Sequence, residues 1–396
     1  MGVLVISFDS VSDRAFQAMA SDSKNYPNIA KFKKEAFYRG GIRTVFLSNT
    51  YPVHTTVSTG KLPKDHGIVS NLLPPKKNGE RPWAQMAKYI KSKTIWEAAR
   101  EKKLSTAAML WPVTCGAKID YHMPEVHPEK GQNMLFRSLL YGSALFQIFA
   151  LLKHGAKLIK ALKSMMNGSG GQPELDAFTV AVSCDMLKAK NPDLALVHLI
   201  AYDALFHSCG SGGKELDIAG KAMDTNLGRL LESSKHDTVI VFSDHAQLDV
   251  NENINLYGLY GGIVFEQVGG SAFFNKGAEN LTESLEEQPW FGRYLTKEEM
   301  EESGYAGKAA FGIAAKRGFV FSESGKYRGN HGYPVDYEDY NVFYSVKGKN
   351  FAPEQEQKWL KKSVSDITAI IAKELNLDMD ILDEYGVRQV SNPAVF

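Results

Sequence analysis

The sequence predicts an α/β fold with a mostly parallel central sheet and helices on both of its faces. Short apolar runs typical of buried strands alternate with segments of helical periodicity along the 396 residues of the chain. Three of the apolar runs are each followed by an aspartate, namely Asp9, Asp203 and Asp244. Because the carboxyl ends of parallel strands meet at one edge of a sheet, these aspartates are expected to lie close together there.

The individual elements follow from apolar spacing and from helix-start signals such as an early proline. Strands are predicted at 2–8, 43–47, 105–110, 194–200, 238–242 and 340–346. Helices are predicted at 27–35, from Pro52 onward, and at 94–103, 174–188, 221–232 and 354–375. At 396 residues, one large α/β domain with insertions, or two domains, is expected.

Two segments interrupt the alternation and are predicted to be insertions. Residues 248–327 are expected to form a cap over the carboxyl edge of the sheet, where substrate choice is usually determined. Residues 116–171 are expected to form a helical insertion. Its uncharged stretch, Ser138 to Leu152, is shorter than the ~20 residues that a membrane span needs. A buried or lid helix is the simpler interpretation of this stretch, and a membrane-surface helix flanked by lysines is the alternative.

Composition excludes some classes of function. The formal net charge is +1, from 46 Lys and Arg against 45 Asp and Glu, which disfavours a nucleic-acid polymer as the main partner. Cys115, Cys184 and Cys209 lie far apart without CxxC spacing, so a disulfide framework is not expected. The first residues already have the pattern of a strand, so we expect no cleavable signal peptide. These observations favour a cytoplasmic location.

The aspartates and nearby histidines predict a metal site. Three carboxylates at one edge would repel one another strongly unless cations lie between them. His207 follows Asp203 by four residues and would share its face if a helical turn follows the strand, while His245 directly follows Asp244. Each of these pairs alone is also common in turns and helix caps. Their occurrence together is what indicates bound metal.

Two more residues belong to this set of candidates. Thr50 lies at the predicted start of a helix and, by itself, would be an ordinary N-cap. His331 lies in the glycine-flanked run Gly329–Tyr333, which suits a plain turn or a close approach of the backbone. A threonine hydroxyl is a poor nucleophile at neutral pH and needs a base or a metal ion to activate it.

These motifs resemble those of the type I phosphodiesterase/nucleotide pyrophosphatase family, within the alkaline phosphatase superfamily. The resemblance rests on the run from Asn49 to Gly60, on Leu62 to Asn71, and on the order of the Asp and His residues. It covers nearly the whole chain except the two insertions. It implies a single alkaline phosphatase-like catalytic domain over residues 1–396. It also implies two divalent metal ions, with zinc as the first candidate and Mn²⁺ as the second. One ion would be held by Asp203, His207 and His331, and the other by Asp9, Thr50, Asp244 and His245.

The resemblance also implies roles in catalysis and binding. Thr50 would attack the phosphorus and form a phosphothreonine intermediate, and Asn71 would hydrogen-bond a non-bridging phosphoryl oxygen. Tyr51 would offer an apolar face to a substrate group. The implied substrates are small molecules with phosphodiester or pyrophosphate bonds, including nucleotides. The sequence departs from the family at Ser10, where a glycine is usual, and at His198, where relatives that bind nucleotides have an aromatic residue.

Two other functions remain open. A phosphonoacetate hydrolase or phosphomonoesterase of the same superfamily would use the same metal centre, but a monoester dianion favours an additional cation such as a clamping arginine. No arginine adjoins Thr50 or Asn71 in the sequence, and Arg328 is the arginine nearest to a motif, so a preference for diesters is predicted. The third candidate is a non-catalytic protein that binds a phosphorylated ligand, or a membrane surface through residues 134–166.

Overall fold

The computed structural model describes residues 2–77, 79–166, 171–323, 326–355, 357–382 and 388–390. In chain order its strands are β1 (Val3–Phe8), β2 (Phe37–Ile42), β3 (Thr106–Met109), β4 (Tyr121–Met123), β5 (Leu194–Leu199), β6 (Thr238–Ser243), β7 (Leu248–Ile254), β8 (Val264–Val268), β9 (Ser271–Phe274), β10 (Phe291–Tyr294), β11 (Phe311–Ala315), β12 (Gly318–Phe321), β13 (Gly329–Asn330), β14 (Val342–Lys347), β15 (Asp380–Leu382) and β16 (Arg388–Val390). Its helices are α1 (Asp13–Ser21), α2 (Pro27–Glu35), α3 (Thr50–Thr59), α4 (Pro63–His66), α5 (Ile95–Glu101), α6 (Met134–Tyr141), α7 (Ala144–Met166), α8 (Gln172–Lys190), α9 (Ala201–Cys209), α10 (Lys214–Ser233), α11 (Leu256–Tyr260), α12 (Thr282–Glu286), α13 (Lys297–Glu302) and α14 (Asp366–Glu374). Short 3₁₀ helices cover Ala87–Tyr89, Gly261–Ile263, Glu279–Leu281 and Glu338–Tyr340.

A seven-stranded sheet with the order β2-β14-β6-β1-β5-β3-β4 forms the centre of the fold. The pairs from β6 through β4 are parallel, and β14 is antiparallel to both of its neighbours. The predicted α/β class with a mostly parallel sheet is therefore confirmed. In the register of this sheet, Phe8 pairs with both Leu199 and Ser243, so the residues after β1, β5 and β6 emerge at the same edge.

Helices cover both faces of the main sheet. Along β1, Leu4, Ile6 and Phe8 pack into one apolar cluster, whereas Val3 and Val5 pack into the other, as the two-residue period of a strand requires. The first cluster also contains buried side chains of α1, α2, α8, α9 and α10, and the second contains those of α3, α5 and α14. The core is thus divided into two layers by the sheet.

The strand predicted at 43–47 is wrong. The structure has β2 just before it, at Phe37–Ile42, where it pairs with β14 along the edge of the main sheet. Val45, Phe46 and Leu47 are buried without forming a strand, and they lead directly into α3. Burial, rather than strand pairing, therefore explains the apolar run that suggested a strand.

The helix predicted at 354–375 is correct only in its last part, which is α14. The carboxylate of Asp366, at the start of α14, accepts hydrogen bonds from the backbone N–H groups of Lys361, Lys362 and Ser363. A side chain that satisfies backbone donors in this way stabilises a turn in place of a helix. The residues before α14 that the structure describes are accordingly turns.

The two segments that interrupt the alternation have different architectures. Within 116–171, β4 is the edge strand of the main sheet, and the helices α6 and α7 follow it. The helical part of this segment is therefore shorter than predicted. Within 248–327 lie two small sheets, one with the order β10-β11-β9-β8 and one that joins β12 and β7 to β13. These sheets enclose an apolar cluster of their own, with Trp290, Phe274 and Ile313.

Candidate active site

The predicted aspartates and histidines lie together at the carboxyl edge of the main sheet. Asp9 directly follows β1, Asp244 directly follows β6, and Asp203 lies in the first turn of α9, just after β5. His207 lies one turn further along α9, so its Nε2 is 3.5 Å from Asp203 Oδ1. His331 follows β13, which comes after the cap segment in the sequence. Its ring lies beside Asp203 and His207.

Asp203, His207 and His331 form the first potential metal site. Their potential ligand atoms all lie within 4.8 Å of one another. His207 Nδ1 lies 2.9 Å from the carbonyl oxygen of Gly329, and His331 Nδ1 lies 2.9 Å from Asn49 Oδ1. Such contacts fix the orientation of each ring and leave its Nε2 available to bind a metal ion.

The second potential site is centred on His245 Nε2. Thr50 Oγ1 lies 3.2 Å from this nitrogen, Asp244 Oδ2 lies 3.3 Å from it, and Asp9 Oδ1 lies 3.5 Å from it. Among the residues that the structure describes, both of these carboxylate oxygens are buried and neither accepts a hydrogen bond. Buried acceptors without donors are costly, and a cation at their meeting point would satisfy them. The residues present therefore fit a metal ion.

The electrostatics of the site agree with this interpretation. Burial, reinforced by the charges of Asp244 and Asp203, raises the pKa of Asp9 well above its usual value. Burial opposes ionisation of Asp203 as well, but three neighbouring histidines lower its pKa to about 2. Burial lowers the pKa of His331 well below its usual value, which keeps the ring neutral, as a metal ligand must be. The carboxylates thus oppose one another's ionisation, and a cation between them would relieve this repulsion.

Thr50 is the first residue of α3. The side chain of Asn49, the residue at the N-cap of this helix, makes no capping hydrogen bond because it contacts His331 instead. The N–H of Tyr51 donates to Asn71 Oδ1 at 2.9 Å, which holds the Asn71 amide beside the start of the helix. Because Asn71 accepts the Tyr51 N–H, Pro52 has no N–H and Asn49 accepts the Val53 N–H, it is mainly the helix dipole that favours an anion at this position.

A cleft of about 500 Å³ opens beside this cluster. The predicted residues His207, His331 and Asn71 line it. Its other walls come from the loop after α4 and from the cap segment, including Arg81, Trp83, Tyr257, Glu266, Gln267, Phe321 and Tyr327. The guanidinium of Arg81 pairs with Glu266 at 2.6 Å, and Tyr305 Oη donates to the same carboxylate at 2.5 Å. Sequence reasoning missed this ion pair because Arg81 lies in a loop and Glu266 in β8, 185 positions apart in the chain.

Tyr51 does not offer the open aromatic face that the sequence suggested. Its side chain is 1% exposed and packs with Ile68 and Val113. Trp83 lies over it, with ring centroids 5.3 Å apart, and is itself stacked on His127 at 3.8 Å. Trp83 therefore takes the position at the cleft that was predicted for Tyr51.

Ser10 and Gln247 were missed by sequence reasoning, although they adjoin predicted residues in the sequence. The Ser10 backbone has φ +66°, a conformation that glycine adopts most easily, which explains why a glycine is usual here. The Ser10 hydroxyl donates to Asp203 Oδ1 at 2.7 Å and lies 3.0 Å from His245 Nδ1, contacts that a glycine could not make. Gln247 Nε2 donates to the same oxygen of Asp203 at 2.6 Å. Both side chains therefore orient the candidate ligands.

His198 and His54 are buried below the cluster and support it. His198 Nε2 lies 3.1 Å from Asp9 Oδ2, so this side chain positions a carboxylate and does not line the cleft. His54 Nδ1 donates to the carbonyl oxygen of Thr50 at 2.9 Å, and its Nε2 lies 3.0 Å from Ser7 Oγ. Its place on α3, one turn after Thr50, was the sequence signal that could have identified it.

The fold and the site define the class of protein as an α/β protein with a potential metal centre at the carboxyl edge of a mostly parallel sheet. The family model described as type I phosphodiesterase / nucleotide pyrophosphatase matches residues 3–262, and the chain belongs to this family. The resemblance found in the sequence is thereby confirmed.

Curated relatives match the chain over part of their length. Human ectonucleotide pyrophosphatase/phosphodiesterase family member 1 is 32% identical over 91 residues, which are 22% of this chain and 10% of that protein. Venom phosphodiesterase 2 of Crotalus adamanteus is 21% identical over 364 residues, which are 83% of this chain and 40% of that protein. The chain thus spans less than half the length of these relatives.

Solved structures match the fold over nearly the whole chain. Murine ectonucleotide pyrophosphatase/phosphodiesterase 5, solved as an inactive form in complex with AMP, has a TM-score of 0.66 and 18% identity and covers 95% of both chains. Phosphonoacetate hydrolase from Sinorhizobium meliloti 1021, in complex with phosphonoacetate, has a TM-score of 0.65 and 15% identity, covering 94% of this chain and 96% of that one. At these identities the likeness shows the fold alone.

Proposed function

We propose that the protein hydrolyses phosphodiester or pyrophosphate bonds in small-molecule substrates, with Thr50 as the nucleophile at a centre of two divalent metal ions. The observation that carries this proposal is the convergence of Thr50 Oγ1, Asp244 Oδ2 and Asp9 Oδ1 on His245 Nε2, at 3.2 to 3.5 Å. A hydroxyl at a helix start, beside two unsatisfied carboxylate oxygens, is the arrangement that an activated nucleophile requires.

The donor set supports zinc as the metal, with Mn²⁺ as the other candidate, because aspartate and histidine ligands suit both ions. Asp203, His207 and His331 would hold one ion, and Asp9, Thr50, Asp244 and His245 would hold the other. When bound, such ions lower the pKa of the threonine hydroxyl and neutralise charge on the leaving oxygen.

The protein's own residues bind and orient the phosphoryl group. Thr50 Oγ1 forms a bond to phosphorus as the bond from phosphorus to the leaving oxygen breaks, which gives a phosphothreonine. Water then cleaves this ester and restores the hydroxyl. The Asn71 amide, oriented by the Tyr51 N–H, would bind a non-bridging oxygen, and the dipole of α3 would favour its negative charge.

The cleft supports a singly charged diester as the substrate. The Arg81 guanidinium is already neutralised by Glu266, so it adds little positive charge for a dianion. Trp83 and Tyr257 line the same cleft and provide aromatic faces for a nucleoside or aryl group. Arg328, the arginine nearest to a motif in the sequence, is exposed and outside this lining.

A phosphonoacetate hydrolase or phosphomonoesterase is the second candidate, and Arg81 is the observation that favours it. Glu266 also accepts a hydrogen bond from Tyr305, so its charge is shared between two donors. A substrate with a second negative group could then compete for the guanidinium, which forms bidentate pairs with carboxylates and phosphates.

Metal analysis coupled to an ester panel tests these proposals. We expect two metal ions per chain, loss of turnover with a chelator, and recovery with Zn²⁺. We also expect a higher kcat/KM for bis-p-nitrophenyl phosphate or a nucleoside p-nitrophenyl ester than for p-nitrophenyl phosphate or phosphonoacetate. An active preparation without metal would contradict the proposed mechanism. Faster turnover of the monoester or the phosphonate would favour the second candidate, and no turnover of any ester by the metal-loaded protein would favour a non-catalytic role.

We further propose that the protein works in the cytoplasm. The three cysteines are unpaired, and two of them are buried, which suits a reducing compartment. Cell fractionation with an antibody against the protein tests this proposal. Recovery of the protein in an extracytoplasmic fraction would contradict it.

A further inference from the structure

Helix α7 has apolar side chains on two opposite faces. Its inner face, which includes the buried residues Gln147, Ala150 and Ala161, packs along α8. The outer face carries Leu145 (75% exposed), Phe149 (70%), Leu152 (80%) and Ile159 (55%). These four follow one another at helical spacing and form one stripe along the helix. A solvent-facing stripe of this kind is polar in an ordinary surface helix. The predicted buried or lid helix is therefore correct for the inner face only.

Helix α6 extends this apolar surface. The two helices form one unit, called here the α6–α7 hairpin (residues 134–166), because the buried Gln147 of α7 accepts a hydrogen bond from Ser138 of α6 at 2.6 Å. Phe136 and Leu140 on α6 are 64% and 58% exposed. Within the part of the chain that the structure describes, eleven of the fifteen exposed large apolar side chains belong to this hairpin. Such a concentration marks an interaction surface.

The hairpin is also strongly basic. No aspartate or glutamate occurs between Lys130 and Glu174, while Arg137 and four lysines do. This segment contributes five positive charges to a chain whose formal net charge is +1, so the rest of the chain is negative overall. The four lysines are Lys153, Lys157, Lys160 and Lys163.

Helical spacing puts the first three of these lysines along one side of the apolar stripe. Lys153 pairs with Asp185 at 2.7 Å and Lys160 lies 3.7 Å from Glu174, both on α8. Lys157 and Lys163 have no carboxylate within 4.0 Å among the described residues. A groove of about 570 Å³ lies between α7 and α8 and combines apolar and basic side chains in the same way. Its lining includes Phe149, Lys188 and Lys190.

We propose that the α6–α7 hairpin docks on the surface of an anionic lipid bilayer. The exposed stripe enters the boundary between headgroups and acyl chains, while the lysines contact lipid phosphates with their charged ends. Among the described residues, no helix has the length and hydropathy of a membrane span.

Charge favours a lipid surface over a second copy of this chain as the occupant. In an antiparallel twofold contact through the stripe, the lysine rows of both copies would lie on the same side, and like charges across an interface are unfavourable. An anionic bilayer neutralises those charges and covers the apolar side chains at the same time.

Vesicle co-sedimentation of the full chain tests the proposal. We expect binding to phosphatidylcholine vesicles that contain phosphatidylglycerol, weaker binding to phosphatidylcholine alone, and weakening of the former by salt. The double substitution Phe149→Glu and Leu152→Glu should reduce the partition coefficient at least roughly tenfold. Lys157→Gln and Lys163→Gln should each reduce it about fivefold on anionic vesicles.

The control substitution is Ile218→Glu on α10, a side chain that is 61% exposed and far from the hairpin in sequence. It should leave vesicle binding unchanged, and the thermal unfolding midpoint should be the same for all variants. The proposal is overturned if the unmodified protein fails to bind anionic vesicles, or if the lysine variants bind them as well as it does. It is also overturned if light scattering finds a dimer that Phe149→Glu with Leu152→Glu converts to a monomer. None of these outcomes depends on whether the protein hydrolyses phosphodiesters.

Discussion

The cluster of candidate metal ligands, called here the floor, and the walls of the cleft that opens beside it are built in different ways. The floor consists of residues that follow adjacent strands, such as Asp9 and Asp244, and the register of the sheet brings them together. The walls come from loops and from the cap, where Arg81 meets Glu266 across 185 positions of sequence. In the proposed function, the floor would determine the chemistry, and the walls would determine which phosphate ester reaches it.

The largest expected effect is at the nucleophile on the floor. Thr50→Ala removes the oxygen that attacks phosphorus, so kcat/KM for the best diester should fall at least roughly 10³-fold. Metal content should be nearly unchanged because six candidate protein ligands remain. Thr50→Ser keeps a hydroxyl and should retain part of the activity. Turnover by Thr50→Ala at the unmodified rate would refute the covalent mechanism, and metal analysis of the same samples excludes loss of the centre as the cause of inactivity.

Substitution of the floor's histidine and aspartate ligands should separate the two metal sites. His331→Ala should remove one ion and weaken the site that it shares with Asp203, whereas Asp244→Asn should weaken the site beside Thr50. We expect each to lower kcat/KM by roughly 10²-fold or more and to lower the metal content to one ion per chain. His236→Gln is the control, because this ring contacts the carbonyl of Pro192 away from the cleft. Full metal content in both variants would contradict the assignment of ligands.

The same division explains what the sequence could predict. Asp9, Asp203 and Asp244 could be identified because a buried strand has a distinct pattern and its end has a known place in a parallel sheet. His331 was a candidate from its glycine-flanked run, but its grouping with Asp203 and His207 came from the family resemblance, because a cap of two small sheets separates it from the rest. Within that cap, Gly269 approaches so closely that a Cβ atom there would lie 2.0 Å from the His331 carbonyl oxygen. Contacts of this kind depend on packing between distant segments, and no local pattern reports them.

Local patterns also failed where side chains compete with regular structure. Asp366 accepts hydrogen bonds from backbone N–H groups that a longer helix would have used. Tyr51, on α3, is covered by Trp83, which comes from a loop. On the outer face of α7, apolar spacing predicted a helix but could not tell a buried face from an exposed one. In each case, long-range packing decides the outcome.

The smallest expected effect, and the one that tests the walls, concerns the Arg81–Glu266 ion pair. Glu266→Gln removes the negative charge and keeps an acceptor for Tyr305, so the Arg81 guanidinium becomes free to bind a dianion. The ratio of kcat/KM for p-nitrophenyl phosphate to that for bis-p-nitrophenyl phosphate should rise roughly tenfold. Arg81→Met should lower this ratio, because it leaves the Glu266 carboxylate facing the substrate without a counter-ion.

A matched ion pair on the cap provides the control for this test. Arg293 pairs with Glu299 at 2.7 Å, and neither residue lines the cleft. Glu299→Gln should therefore leave the ratio of monoester to diester turnover unchanged, even if it lowers the stability of the cap. If Glu266→Gln also leaves the ratio unchanged, the Arg81 side chain does not contact the phosphoryl group. In that case the walls would select substrates through shape and through the aromatic faces of Trp83 and Tyr257. The preference for a singly or doubly charged substrate would then depend on the floor alone.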